Sequence, residues 1–254
     1  MLKQPEEIRD AYSHTAIAED YIDRRFASAW GSVLHAAQVQ VLNNVIREHC
    51  VKRVLEIAPG PARLSRDVFG FERGYLCEFN ESMLAVLRRR LDGVNSRWRV
   101  VRGDAFRLPF QPPSALDMVY TFRFIRHFEA ADRSILYRQI HSVLKENGLF
   151  VFDAVNVKVG LAARIRDGLD KHPVYDEFYE LAALKRELVE HGFTPLSCTD
   201  VMRHMILQQR IQILVGPRSS GLARRLIAWL ELVPGEPLEW VVVSRKSTSA
   251  PASA

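Results

Sequence analysis

Cysteine is scarce, with three in 254 residues. Cys50, Cys77 and Cys198 stand far apart, with no Cys-x-x-Cys pair and no histidine at ligand spacing. That pattern excludes a disulfide frame and a cysteine metal site, and it predicts buried, reduced thiols. Long apolar runs are missing as well: none reaches the roughly 20 residues of a membrane span. The N-terminal Met-Leu-Lys-Gln-Pro-Glu-Glu has no signal-peptide core, so the expected location is cytoplasmic and the sequon at Asn80-Glu81-Ser82 carries no meaning. No internal repeat is visible. No Gly-Lys-Ser/Thr follows a glycine loop, which removes the P-loop nucleotidases. No metal is implied.

What is present suits one large α/β domain. Hydrophobic residues make up 48% and charged residues 26% of the chain, an ordinary globular balance. The net charge of +5 is modest. Its arginines gather at Arg24-Arg25, Arg88-Arg89-Arg90, Arg97, Arg99, Arg102 and Arg224-Arg225. Solvated helix faces explain them, and so would an anionic partner. No nucleic-acid motif accompanies them, so no sequence-specific nucleic acid is expected.

Residues 5–50 carry helical periodicity, with Val33, Leu34, Ala37, Val41, Leu42 and Ile46 on one face of a helix ending near His49. Strands and helices then alternate. Strands are predicted at 51–57, 74–79, 98–102, 116–121 and 149–154. Helices are predicted from Arg63 towards Phe71, at 81–91, and at 130–146 closed by Asn147-Gly148. The sequence 155–176 reads as a connection with helical character at 161–169, followed by a helix at 176–191. Late strands at 194–201 and 238–244, with an antiparallel late strand expected, flank a mixed segment at 205–215 and a helix within 221–232. The tail 247–254 is low-complexity and reads as disordered. Such alternation implies right-handed βαβ units and a mostly parallel, doubly wound Rossmann-like sheet of about seven strands.

Residues 53–65 hold the most information: an apolar strand, an acid at Glu56, then the small-residue loop Ala58-Pro59-Gly60-Pro61-Ala62. A strand, tight loop and helix start make a nucleotide-binding corner. Registered as a dinucleotide fingerprint, the third glycine position falls on Arg63, and that glycine exists for close helix–strand packing. Arginine there argues against NAD or FAD, and the Glu56 carboxylate would repel a pyrophosphate. The site suits a cationic or amine-bearing ligand.

Four motifs in order resemble the class I S-adenosylmethionine-dependent methyltransferases, particularly the small-molecule branch that includes the quinone-biosynthesis enzymes. They are Glu56-Ile57-Ala58-Pro59-Gly60-Pro61-Ala62, Gly74 through Glu78-Phe79 to Met83-Leu84, Gly103-Asp104-Ala105, and Asp117-Met118-Val119 leading to His127. The resemblance covers residues 50–155 well and 176–245 loosely. It implies S-adenosylmethionine as cofactor, a methyltransferase domain over 51–246, and a helical lid over 1–50. By resemblance, Glu56 lies near the cofactor's ammonium, and Ala58, Gly60 and Ala62 form the loop beneath its methionine part and ribose. Glu78 would accept the ribose hydroxyls and Asp104 the adenine amine, with the Ala105 backbone reading a ring nitrogen. Phe79 and Met83 would sandwich the adenine, and Thr121 would lie where cofactor meets acceptor. In the lid, Tyr21 would stack near the pocket and Arg25 would meet the methionine carboxylate. Two of the family's loop glycines are alanines here. Because alanine resists positive φ, ordinary dihedrals are expected at 58 and 62.

The methyl of a sulfonium is already electrophilic, so catalysis is mainly alignment. His127 is the candidate general base. No Asn/Asp-Pro-Pro-Tyr/Phe follows the fourth strand, which reads Tyr120-Thr121-Phe122-Arg123, so O- or C-methylation of a small or lipid-like acceptor is favoured. The basic amphipathic stretch 221–232 has two readings, peripheral membrane contact or packing on its own sheet. A catalytically silent methyltransferase-fold partner or regulatory subunit is the alternative function. Oligomeric state is open.

Overall fold

The computed structural model describes residue 7 and residues 26–92, 97–110, 116–168, 171–172 and 174–247. Tyr21, Arg25 and the tail beyond Ser247 lie outside these residues. Seven strands form one sheet: β1 (Arg53–Ile57), β2 (Arg73–Glu78), β3 (Trp98–Arg102), β4 (Leu116–Thr121), β5 (Leu144–Val155), β6 (Phe193–Val201) and β7 (Glu239–Lys246). Their order across the sheet is β3-β2-β1-β4-β5-β7-β6. β1 to β5 run parallel to their neighbours, whereas β7 is antiparallel to both β5 and β6. This is the mostly parallel Rossmann-like sheet expected from the alternation, with one late strand, β7, antiparallel; β6 runs in the same sense as β5. Chain order reverses between β1 and β4, and ligands of such sheets bind at the carboxyl ends beside that reversal.

The central strands are largely apolar because both faces of the sheet are covered there, whereas the marginal β3 and β6 carry exposed residues. Successive residues alternate between two cores. Val54, Met118, Val151 and Val241 join one cluster, while Leu55, Val119, Phe150 and Val242 join the other. The first face is covered by helices α1 (Ala29–Glu48) and α2 (Glu81–Leu91) and by α7 (Ser220–Leu230). The second is covered by α3 (Ala130–Val143) and α5 (Leu181–Glu190). Two further helices complete the described chain, α4 (Val157–Asp167) and α6 (Met205–Leu214). Leu34, Leu42 and Ile46 on α1 are buried in the first core. α1 is thus a core helix, and the lid expected over 1–50 does not include it.

Several boundaries differ from expectation for local reasons. No helix forms from Arg63: residues 60–67 run through consecutive turns that follow the left-handed backbone at Ala58, Gly60 and Ala62. α3 ends at Val143, where Leu144 turns extended to pair with Leu116 on β4. The Asn147-Gly148 turn therefore lies inside β5, with Asn147 at φ +61°. Residues 176–180 do not start a helix, because Asp176 and Glu177 are drawn into ion pairs with Arg126, Arg164 and Arg133. The mixed segment at 205–215 is the helix α6. Only Cys77 of the three free cysteines is buried; Cys50 is exposed on the turn after α1.

β3 and β6 are the margins of the sheet. β3 carries Arg99 and Arg102, and β6 contains Pro195 at a register shift against β7.

Candidate active site

β1 delivers Glu56 to the carboxyl edge and then breaks into the loop. Ala58, Gly60 and Ala62 have φ of +51°, +55° and +57°. The ordinary dihedrals expected at the two alanines are therefore overturned. Both residues adopt the conformation that glycine takes without penalty, at a cost of about 1–2 kcal/mol each. Hydrogen bonds hold the loop in that shape. Ala58 N–H donates to Cys77 carbonyl at 2.9 Å, Ala62 N–H to Pro59 carbonyl at 3.2 Å, and Gly60 N–H to Glu78 Oε2 at 3.0 Å.

Glu78, at the end of β2, is 6% exposed. Its Oε1 accepts the N–H groups of Phe79 and Asn80, both at 2.9 Å. Burial raises its pKa against the pull of these three donors. Asn80 then caps α2, its side chain accepting the Met83 N–H at 3.0 Å. β3 pairs with β2 so that Arg102 lies opposite Glu78, which sets Gly103-Asp104 beside the same opening. Asp104 Oδ1 accepts the Phe106 N–H at 2.9 Å, an Asx-type turn that fixes the carboxylate. A β-carbon on Gly103 would meet Cys77 Sγ and Pro109 at 2.8 Å, so the close approach here requires glycine. Burial and the flanking Glu78 and Asp104 push the Cys77 thiol up to about 12, leaving it unreactive.

Glu56 sits at the other end of the opening, 3% exposed. Ser65 and Tyr120 hydroxyls both donate to its Oε2, at 2.5 and 2.8 Å. Among the described residues none donates to Oε1. Burial outweighs those two hydrogen bonds and the nearby Arg63, and pushes the Glu56 pKa up to about 7.

These groups line one cavity of about 330 Å³. Glu56, Ala58, Gly60, Glu78, Phe79, Met83, Asp104, Ala105 and His127 all face it. Phe79 is 44% exposed and Met83 buried, an open ring opposite a soft buried thioether. Ala62 and Thr121 do not line it. Ala62 is fully buried, and the Thr121 hydroxyl is spent on Ile57 carbonyl at 2.8 Å, tying β4 to β1. The expected contact of Thr121 with a ligand is therefore not made by its side chain.

Residues not singled out above close the cavity on the β4 side. Arg123 follows β4 at φ +58°, its N–H donating to Asp153 Oδ1 at 2.5 Å. Phe122, Phe124 and Phe128 add apolar wall. The density of phenylalanines over 122–128 was the visible signal for them. Arg63 stacks its guanidinium 4.2 Å from the Phe26 ring centroid. His127 Nδ1 bonds to Tyr175 carbonyl at 2.8 Å and lies 2.8 Å from Asp176 Oδ1. The Tyr175 carbonyl can only accept, so it assigns the ring proton to Nδ1. Burial raises the Asp176 pKa, but Arg126, His127 and Arg164 outweigh it and hold the carboxyl far below the ordinary range. Among the described residues, no cluster of histidine, cysteine or carboxylate side chains is placed to hold a metal.

A family model described as a methyltransferase domain matches residues 54–148, the span that supplies nearly all of this cavity. The match covers the first four strands and the start of β5. No curated protein matches the chain. Solved structures share the methyltransferase fold over almost the whole chain. Magnesium protoporphyrin IX methyltransferase from Synechocystis, with bound SAH, has a TM-score of 0.67 at 11% identity, covering 96% of this chain and 100% of that one. A putative methyltransferase from Haloferax volcanii, in complex with the Trm112 methyltransferase activator, has a TM-score of 0.65 at 16% identity, covering 95% and 98%. A methyltransferase from Thermotoga maritima, described as a possible histamine N-methyltransferase, has 0.63 at 16%, covering 92% and 97%. The matched domain and the shared fold agree with the methyltransferase class expected from the sequence. Among the described residues no helix is long and apolar enough to cross a membrane.

Proposed function

We propose that the methyltransferase moves a methyl group from S-adenosylmethionine to a small-molecule or lipid-like acceptor, at oxygen or carbon. The observation that carries this reading is the convergence of Glu78 and Asp104, from successive strand ends, on a cavity that has Glu56 at its far side. The donor set fits the group. Glu78, already fixed by three N–H donors, has lone pairs left for two ribose hydroxyls at diol spacing. Asp104 and the Ala105 backbone read the adenine edge, which lies between Phe79 and Met83. Glu56 Oε1 takes the ammonium, and Ala58 and Gly60 let the ligand approach the backbone closely.

When bound, the cofactor supplies an activated methyl; the chain's residues supply placement. Arg123 and the phenylalanines after β4 shape the acceptor side and exclude water. His127 Nε2 takes the proton of an acceptor hydroxyl or carbon acid, and Asp176 and Tyr175 carbonyl stabilise the ring once it is protonated. The catalytic domain of this reading spans 51–246. Isothermal calorimetry with S-adenosylmethionine and S-adenosylhomocysteine tests the reading, and micromolar binding of both is expected. Absence of heat for either at high micromolar concentration removes it. Mass spectrometry of metabolite and lipid pools treated with the pure protein then identifies the acceptor.

A further inference from the structure

From Val201 to Leu230 the chain has five arginines and no aspartate or glutamate. The same segment builds α6 and α7, and it exposes apolar side chains that a soluble surface has no use for. On α7, Ala223, Ile227 and Leu230 at i, i+4 and i+7 face the core. One residue back along the helix, Leu222, Leu226 and Trp229 repeat that spacing and face solvent, with Trp229 60% exposed. The apolar arc of α7 is therefore wider than the side it packs against α1 and α6. On α6, Ile213 and Leu214 are 69% and 64% exposed. Arg210, Arg218, Arg224 and Arg225 are exposed among these side chains, and no ion pair joins them to an acid among the described residues.

We infer that the α6–α7 face binds the surface of an anionic lipid bilayer, with Leu222, Leu226 and Trp229 at the headgroup–acyl boundary and the arginines among the lipid phosphates. Charge complementarity selects this occupant. A second copy of the chain meeting this face by two-fold symmetry would set one acid-free arginine cluster against another. An anionic bilayer offers apolar depth and a plane of negative charge together, which is what in-plane amphipathic helices use. The face is also joined to the cavity. Gln212 on α6 accepts the Trp30 N–H at 3.1 Å, and α1 starts just beyond Phe26, whose ring lies under the cavity-lining Arg63.

Co-sedimentation of the full chain with phosphatidylglycerol/phosphatidylcholine vesicles, without cofactor, tests this independently of methyl transfer. The protein is expected to pellet with anionic vesicles, to stay in solution with pure phosphatidylcholine, and to be released as salt rises well above physiological strength. Arg224→Glu/Arg225→Glu and Leu226→Glu/Trp229→Glu are each expected to lower the partition coefficient roughly tenfold or more. Unchanged circular dichroism and cofactor affinity would show that these variants are folded. No pelleting with anionic vesicles, equal pelleting with neutral ones, or an unchanged partition in both folded variants overturns the inference. So does a dimer, seen in analytical ultracentrifugation, that Leu226→Glu/Trp229→Glu dissociates.

Discussion

Glu78→Gln isolates the group on which the cofactor site turns. The carboxylate holds the loop through Gly60 and the start of α2 through Phe79 and Asn80. The isosteric amide can keep its oxygen towards Phe79 and Asn80, but its NH2 then faces the Gly60 N–H, donor against donor. One hydrogen bond to a charged acceptor is lost in the free protein, and one ribose hydroxyl loses its acceptor in the complex. Each is worth about 1.5–3 kcal/mol, so cofactor Kd is expected to rise roughly 10- to 150-fold by calorimetry. Amide exchange at Gly60 should quicken in the free variant. A second arm separates ribose contact from loop support. The 3′-deoxyadenosyl analogue of S-adenosylhomocysteine should bind the parent as weakly as the natural compound binds the variant, and the two losses should not add. A folded variant that binds both compounds within twofold of the parent refutes the assignment of Glu78 to the ribose.

Glu56→Gln should remove a pH dependence. The folded pKa, about 7, lies above the ordinary 4.5, so the folded state holds an extra proton between them and stability falls as pH rises through that window. Urea unfolding should find the two proteins alike near pH 4.5 and the variant up to about 3 kcal/mol more stable above pH 7; parallel profiles would contradict this. His127→Gln should leave cofactor affinity unchanged and lower turnover by roughly 10²–10⁴. An undiminished rate across pH would exclude the base. Ala58→Gly should relieve left-handed strain and raise stability by about 1 kcal/mol in denaturant, whereas a loss of stability would show that the loop is not strained there.

β1 and β4 were legible because burial on both faces leaves short apolar runs, and β2 and β3 because they recur between helical segments at regular spacing. Their terminal acids were legible because a carboxylate at the end of such a run has few other reasons to be there. The turn chemistry was not. Nothing local tells that Ala58 and Ala62 adopt left-handed backbone; the hydrogen bond from Gly60 to Glu78, 18 residues away, helps to impose it. Thr121 looked like a ligand contact from its place at a strand end, and only tertiary structure shows its hydroxyl turned to Ile57. Asp176 belongs to the site solely because the chain returns to His127. Gln38 and Glu239, buried partners 201 residues apart, left no local trace at all.

The two outermost strands have a consequence for how the molecule behaves in company. Arg99 puts an exposed positive charge on one free border, where Arg102 is paired with Glu81, and Pro195, lacking an N–H at a skewed register, spoils the other. A foreign strand seeking to extend the ladder meets a charge on the first side and a missing rung on the second. Accretion into edge-to-edge aggregates is thereby discouraged at both ends, which leaves helical surfaces as the ground on which this protein meets other bodies.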